Sequence, residues 1–183
     1  MTNDTRETMI RCAATLIGTS GVAGASFSDV LEVSGAPRGS IYHYFPDGKR
    51  QLTEEAVRWT SVQILGYLAT GPVDSPRAVL QHFVDLWRRA VIASDGATGC
   101  AVAGVAIDTD ADEPMMTTVR DVFRSWIDAL AVRLRVAGLD DDRATSVASL
   151  VIAAMEGSLI LCRAERNVAP LEAAAREIDR LVT

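Results

Sequence analysis

Between Ser26 and Arg50 the chain reads SFSDVLEVSGAPRGSIYHYFPDGKR, and from Arg38 to Tyr44 most side chains can give or take a hydrogen bond. Arg38 carries a planar fork of N–H donors. Ser40 and His43 are short groups that can work either way, and Tyr42 and Tyr44 each place a hydroxyl at the end of a ring. This set suits recognition of polar edges and anionic oxygens. A guanidinium can fork onto O6 and N7 of guanine, a contact worth about 1–3 kcal/mol of base discrimination. Ser40 and His43 are short enough to read base edges, Tyr42 and Tyr44 can reach phosphates, and Gly39 lets the backbone approach closely. Lys49, near the start of a helix, adds its charge to the positive end of that helix's dipole, a place for a phosphate; Ser26 at an earlier helix start can serve the same way. Ile41 and Phe45, the apolar members of the run, are expected to pack inward.

Such residues need short helices to present them. Ser26 with Asp29 three residues later makes a capping box for a helix over about Phe27–Val33. Gly35 supplies the turn, and Pro37 suits the first position of a stubby helix that ends near Phe45-Pro46. Two short helices joined by a glycine turn, the second too polar for a core, fit a helix-turn-helix whose second helix enters the DNA major groove. Around it the apolar positions recur at helical spacing, as in Met9, Ala13, Leu16 and Ile17. The spacing predicts further helices at about Asp4–Thr19, from Gly48 to Leu68, and over Ser75–Ala93. A short one ends near Ile107, and three more cover Glu113–Ala137, Asp141–Arg166 and Pro170–Leu181. The fold class is therefore all-α, about nine helices. A helix-turn-helix head occupies 1–50, with its motif at about 25–44, and a helical body occupies 51–183; the junction falls in the long fourth helix.

Composition bounds the reading. Hydrophobic residues make up 49% of 183, enough for a real core. The net charge is −6, but it is unevenly spread. Residues 1–60 hold six Lys/Arg and seven Asp/Glu, a net of −1, and residues 61–183 hold twelve and seventeen, a net of −5. Any DNA contact must therefore rest on local placement of charge. Three distant cysteines, Cys12, Cys100 and Cys162, without CxxC spacing, point to reduced thiols and a cytoplasmic setting. The apolar run Val147–Cys162 contains Glu156 and falls short of the roughly 20 residues a bilayer needs, so it is expected as a buried helix with no membrane role. Asp108-Thr109-Asp110-Ala111-Asp112 opens like a calcium loop, but Glu113 and Val119 replace the glycine and the bidentate glutamate; it is expected to cap the next helix. No metal or cofactor is expected. Only His43 and His82 are present as histidines, no credible acid–base pair emerges, and an enzyme is not expected.

The chain resembles the TetR family of bacterial transcriptional regulators. The likeness is carried by Ser26, Val30-Leu31, Gly35, the run Gly39-Ser40-Ile41-Tyr42-His43-Tyr44-Phe45, and Lys49 followed by Leu52. The stretch Gly99 to Ile107 and the FPDGK junction resemble the LmrA/YxaF-like branch. The chain departs from the common pattern at Leu31, at Pro37 and in Tyr-His-Tyr-Phe, which leaves open whether His43 or Tyr44 faces DNA. The resemblance implies a homodimer binding a double-stranded operator, with a body that takes a small-molecule effector. Trp59, Phe83, Trp87, Cys100, Trp126 and Met155 are candidates for lining that pocket. The helices over Asp141–Arg166 and Pro170–Leu181 are apolar on more than one face, which implies a partner in the same helices of a second copy. The alternative is a helical binding or adaptor protein of the same fold that no longer binds DNA.

Overall fold

The protein is described from a computed structural model over residues 2–108 and 112–182, with side chains from residue 4. Nine helices occur among the described residues: α1 Thr2–Ser20, α2 Phe27–Ser34, α3 Ser40–Tyr44, α4 Gly48–Thr70, α5 Pro76–Ala93, α6 Ala101–Ala106, α7 Glu113–Val136, α8 Asp141–Glu165 and α9 Ala169–Arg180. The all-α expectation holds, and the predicted helix ends are met to within a few residues. The chain divides into two compact units, one of residues 1–62 with 99–122, the other of residues 63–98 with 123–183. The sequence boundary at residue 50 differs from this division because α6 and the start of α7 close back on the N-terminal helices.

In the first unit, α1 packs against α2 and α6 around Met9, Ala13, Ile17, Val30, Ile41, Phe45, Leu52 and Val102, all essentially without solvent exposure. The α1–α6 contact is made by backbone. A Cβ on Gly18 would meet the Gly99 carbonyl oxygen at 2.5 Å, and one on Gly104 would meet the Ile17 carbonyl oxygen at 2.8 Å. Side chains larger than hydrogen at these positions would force the helices apart.

The second unit is built on α8, which packs one face against α9 and α5 through Val151, Met155, Leu159 and Cys162. By length and composition α8 is apolar enough to cross a membrane, and its inner face is committed to this packing. The Arg88 guanidinium on α5 forks onto Glu172 of α9, Nε to Oε1 at 2.5 Å and Nη2 to Oε2 at 3.1 Å, and also pairs with Asp85. The Arg133 side chain donates to the carbonyls of Ala69, Gly71 and Pro72, closing the C-terminal end of α4 with a cation. The expected acidic cap of α7 is present at Asp112, whose Oδ1 accepts from the Met115 N–H at 2.9 Å. Its Thr109, Asp110 and Ala111 lie outside the described residues.

Candidate nucleic-acid interface

The entry to α2 is fixed as the sequence predicts. Ser26 Oγ accepts from the Asp29 N–H at 3.3 Å while Asp29 Oδ2 accepts from the Ser26 N–H at 3.0 Å. The Ser26 hydroxyl and then its backbone N–H hold the Asp29 carboxyl below the usual carboxylate range. Gly35 ends α2 in the left-handed region at φ 66°, and its N–H donates to the Leu31 carbonyl. This is the glycine turn of the motif.

The second helix is shorter than expected. Pro37 is not its first residue. The turn 37–39 precedes it, the Ser40 N–H and hydroxyl both donate to the Pro37 carbonyl, at 2.9 and 2.6 Å, and Gly39 is the N-cap. Pro37 thus serves as an acceptor for the helix start, and Arg38 and Gly39 stand on the approach to the helix instead of on it. A Cβ at Gly39 would meet nothing within 4 Å, so that backbone is open on its outer side.

Burial sorts the seven residues 39–45 cleanly. Ile41 and Phe45 are fully buried, as their apolar character predicts. Tyr42 is 69% exposed, with its ring edge-on to Phe27 at 5.5 Å, and His43 is exposed with its ring against Tyr44 at 5.3 Å. Tyr44 and Ser40 are half-buried. Arg38 is exposed and borders a groove of about 530 Å³ shared with Phe27, Leu31, Glu32 and Tyr42. Ser26 is half-buried and its hydroxyl also lies 2.8 Å from Ser28 Oγ, so capping uses much of its capacity.

Charge placement offsets part of the acidic count, although Glu32 and Asp47 are exposed and enter no ion pair among the described residues. Of the acidic groups here, Glu55 is paired with Arg6, Glu54 with Arg58, and Asp29 is engaged by the α2 cap. Arg38, Lys49 and Arg50 enter no ion pair among the described residues, so the cations between residues 38 and 50 remain available to an outside anion. Lys49 is half-buried in the first turn of α4 and close enough to Asp29 to help lower its pKa. Arg50 was not anticipated from the sequence; its position next to Lys49 was the available signal.

The six candidate pocket residues fall in different units. Trp59 and Cys100 belong to the first, Phe83, Trp87, Trp126 and Met155 to the second. Phe83, Trp126 and Met155 are fully buried, and Phe83 meets Trp87 edge-on at 6.5 Å. The indole N–H groups of Trp59 and Trp87 are buried without an acceptor among the described residues.

Residues 10–56 match the family described as bacterial regulatory proteins, tetR family, and residues 76–177 match the C-terminal domain of the LmrA/YxaF-like transcriptional regulators. The HTH-type transcriptional regulator Rv0196 of Mycobacterium tuberculosis (strain ATCC 25618 / H37Rv) is 33% identical, the match covering 97% of this chain and 93% of that protein. The HTH-type transcriptional regulator LmrA of Bacillus subtilis (strain 168) is 28% identical, over 92% of this chain and 91% of its own. Among solved structures, a TetR transcriptional regulator from Legionella pneumophila shares the fold with a TM-score of 0.86 at 24% identity, covering 97% of this chain and 96% of that one. On these matches, and with a helix-turn-helix that presents Arg38, Tyr42 and His43 outward, the chain belongs to the TetR family of DNA-binding transcriptional regulators, in its LmrA/YxaF-like branch.

Proposed function

We propose that the chain is a cytoplasmic, homodimeric repressor that holds a palindromic operator and is released from it by a small lipophilic effector. The observation that carries the DNA side is the sorting of residues 38–45: Ile41 and Phe45 are buried while Arg38, Gly39, Tyr42 and His43 stand outward. In this reading Arg38 reads a base edge, Ser40 and His43 approach bases, and Tyr42, Tyr44, Lys49 and Ser26 hold phosphates. Residues 1–50 serve as the DNA-binding part and the remainder as the effector and dimer part.

The dimer is supported by an outward stripe on α8. Leu150, Ala153, Gly157, Ile160, Leu161 and Ala164 are exposed at helical spacing, opposite the face buried against α9 and α5. A helix apolar all round needs cover on both sides, and a second copy supplies it symmetrically. For the effector, the second unit offers Phe83, Trp87, Trp126 and Met155, and the unsatisfied Trp87 N–H is a donor that a bound molecule would complete.

A gel-shift titration with the DNA upstream of the chain's own coding region, repeated over a salt series, tests this. Retardation whose affinity falls linearly on a log–log salt plot is expected. Failure to retard DNA even at low salt would favour the adaptor alternative.

A further inference from the structure

In the first unit a cavity of about 360 Å³ lies between the turn that follows α1, the first turns of α4, the end of α6 and the start of α7. Its α4 side is polar. Lys49, Arg50 and Thr53 lie three and four residues apart, which brings them to one side of that helix. The opposite wall includes Val22, Val105 and Met115.

Thr53 is the telling residue. It is only 5% exposed, lines the cavity, and its hydroxyl has no hydrogen-bond partner among the described residues. Some helical threonines donate to the carbonyl four residues back: Thr60 to Ala56 at 2.9 Å, Thr15 to Arg11 at 3.1 Å, Thr118 to Pro114 at 3.3 Å. Thr53 does not bond to Lys49 in this way. The residue is buried but its hydroxyl opens on the cavity, so beside two cations it can donate to an acceptor that enters from outside the chain.

Two carboxylates also border the cavity, but both are engaged. Asp112 accepts the Met115 N–H as the cap of α7, and Asp108 has a partner within the protein. Their charge disfavours an occupant with a second negative group. The volume is at the small end of ligand sites. We propose that this cavity binds a small organic monoacid, its carboxylate held by Lys49, Arg50 and the Thr53 hydroxyl and its apolar body against Val22, Val105 and Met115. Because Lys49 is also read as a phosphate contact, an occupant would compete with DNA for it. That consequence rests on the proposed function, so binding itself is measured without DNA.

The test is a calorimetric titration of the full-length protein with phenylacetate, phenyl phosphate and phenethylamine, while the methyl signals of labelled methionines are followed by NMR. Phenylacetate is expected to bind more tightly than phenyl phosphate, phenethylamine not to bind, and the Met115 methyl to shift. The Thr53→Val variant, equal in shape but without the hydroxyl, should bind phenylacetate about tenfold more weakly, and Arg50→Gln should weaken it as well. Circular dichroism checks that both variants are folded, and Arg50, exposed on α4, tolerates change even if Thr53→Val does not. Absence of phenylacetate binding, equal binding of the amine, tighter binding of the phosphate, or unchanged affinity in folded variants would overturn the proposal.

Discussion

The ring of Tyr67 near the end of α4 lies flat on the imidazole of His82 in α5, centroids 4.1 Å apart and planes 5° from parallel, and His82 Nε2 lies 3.0 Å from the Tyr67 carbonyl oxygen. The neighbouring Gly71 leaves room for that ring; a Cβ there would come within 2.3 Å of His82 Cδ2. Gly71→Ala should therefore destabilise the protein by about 1–3 kcal/mol through overpacking. Combined with His82→Ala it should cost less than the two single changes summed, because the obstacle is then gone. Thermal unfolding of the three variants checks this; strict additivity would show that ring and glycine do not meet.

Two further glycines make a matched pair. Gly18 lies inside α1 with the Gly99 carbonyl where its Cβ would be, whereas Gly66 lies inside α4 with nothing within 4 Å. Alanine gains about 1 kcal/mol of helix propensity over glycine at either place. At Gly18 an overpacking cost of about 1–3 kcal/mol outweighs that gain. Gly66→Ala should raise the melting temperature and Gly18→Ala should lower it; a rise in both would refute the backbone contact.

DNA recognition should separate by residue. Arg38→Ala is expected to relax base preference at one operator position, losing about 1–3 kcal/mol there. Lys49→Ala is expected to weaken all sequences alike and to flatten the salt slope by about one unit. Binding to a library of operator variants at several salt concentrations distinguishes the two. Equal losses with unchanged preference would count against both roles.

The Arg88–Glu172 pair predicts a pH dependence. The hydrogen bond from Arg88 is the main reason that the Glu172 carboxyl titrates below its ordinary 4.5. A carboxyl whose folded pKa is lowered contributes stability above its unfolded value and loses it as the pH falls through the folded one. Both side chains are about one-third exposed, so solvent screening keeps the pair to about 1 kcal/mol or less. Glu172→Gln should be less stable than the natural chain at neutral pH, and the difference should vanish in acid; urea titrations at several pH values measure it.

Assembly is tested on the α8 stripe. Ile160, 68% exposed, replaced by glutamate should leave the fold intact and shift sedimentation toward the monomer, since a buried unpaired charge is costly at an interface. A natural chain that sediments as a monomer at every concentration would remove the dimer from the mechanism.

Much of this was legible in the sequence, for identifiable reasons. The Ser26–Asp29 capping box and Gly35 are local devices whose geometry depends only on neighbours a few residues away, and each stands where the pattern put it. Ile41 and Phe45 were separable from Tyr42 and His43 because polarity alone decides their side. Pro37 misled: a proline that can start a helix can equally stand in the turn before one, and the choice was settled by the Ser40 bonds to its carbonyl. The cavity at Thr53 was out of reach, since its walls come from segments more than fifty residues apart. A threonine inside a helix gives no hint of whether its hydroxyl is satisfied.

The backbone contact of Gly18 with Gly99 carries a lesson for engineering. The unit that holds the helix-turn-helix is assembled from two stretches of gene, residues 1–62 and 99–122, separated by coding sequence for the other unit. A chimera spliced at a single crossover after α4 would strand Ile17 and Gly18 without their cover. Transplanting this unit intact therefore requires carrying the α6 cassette along with the N-terminal helices.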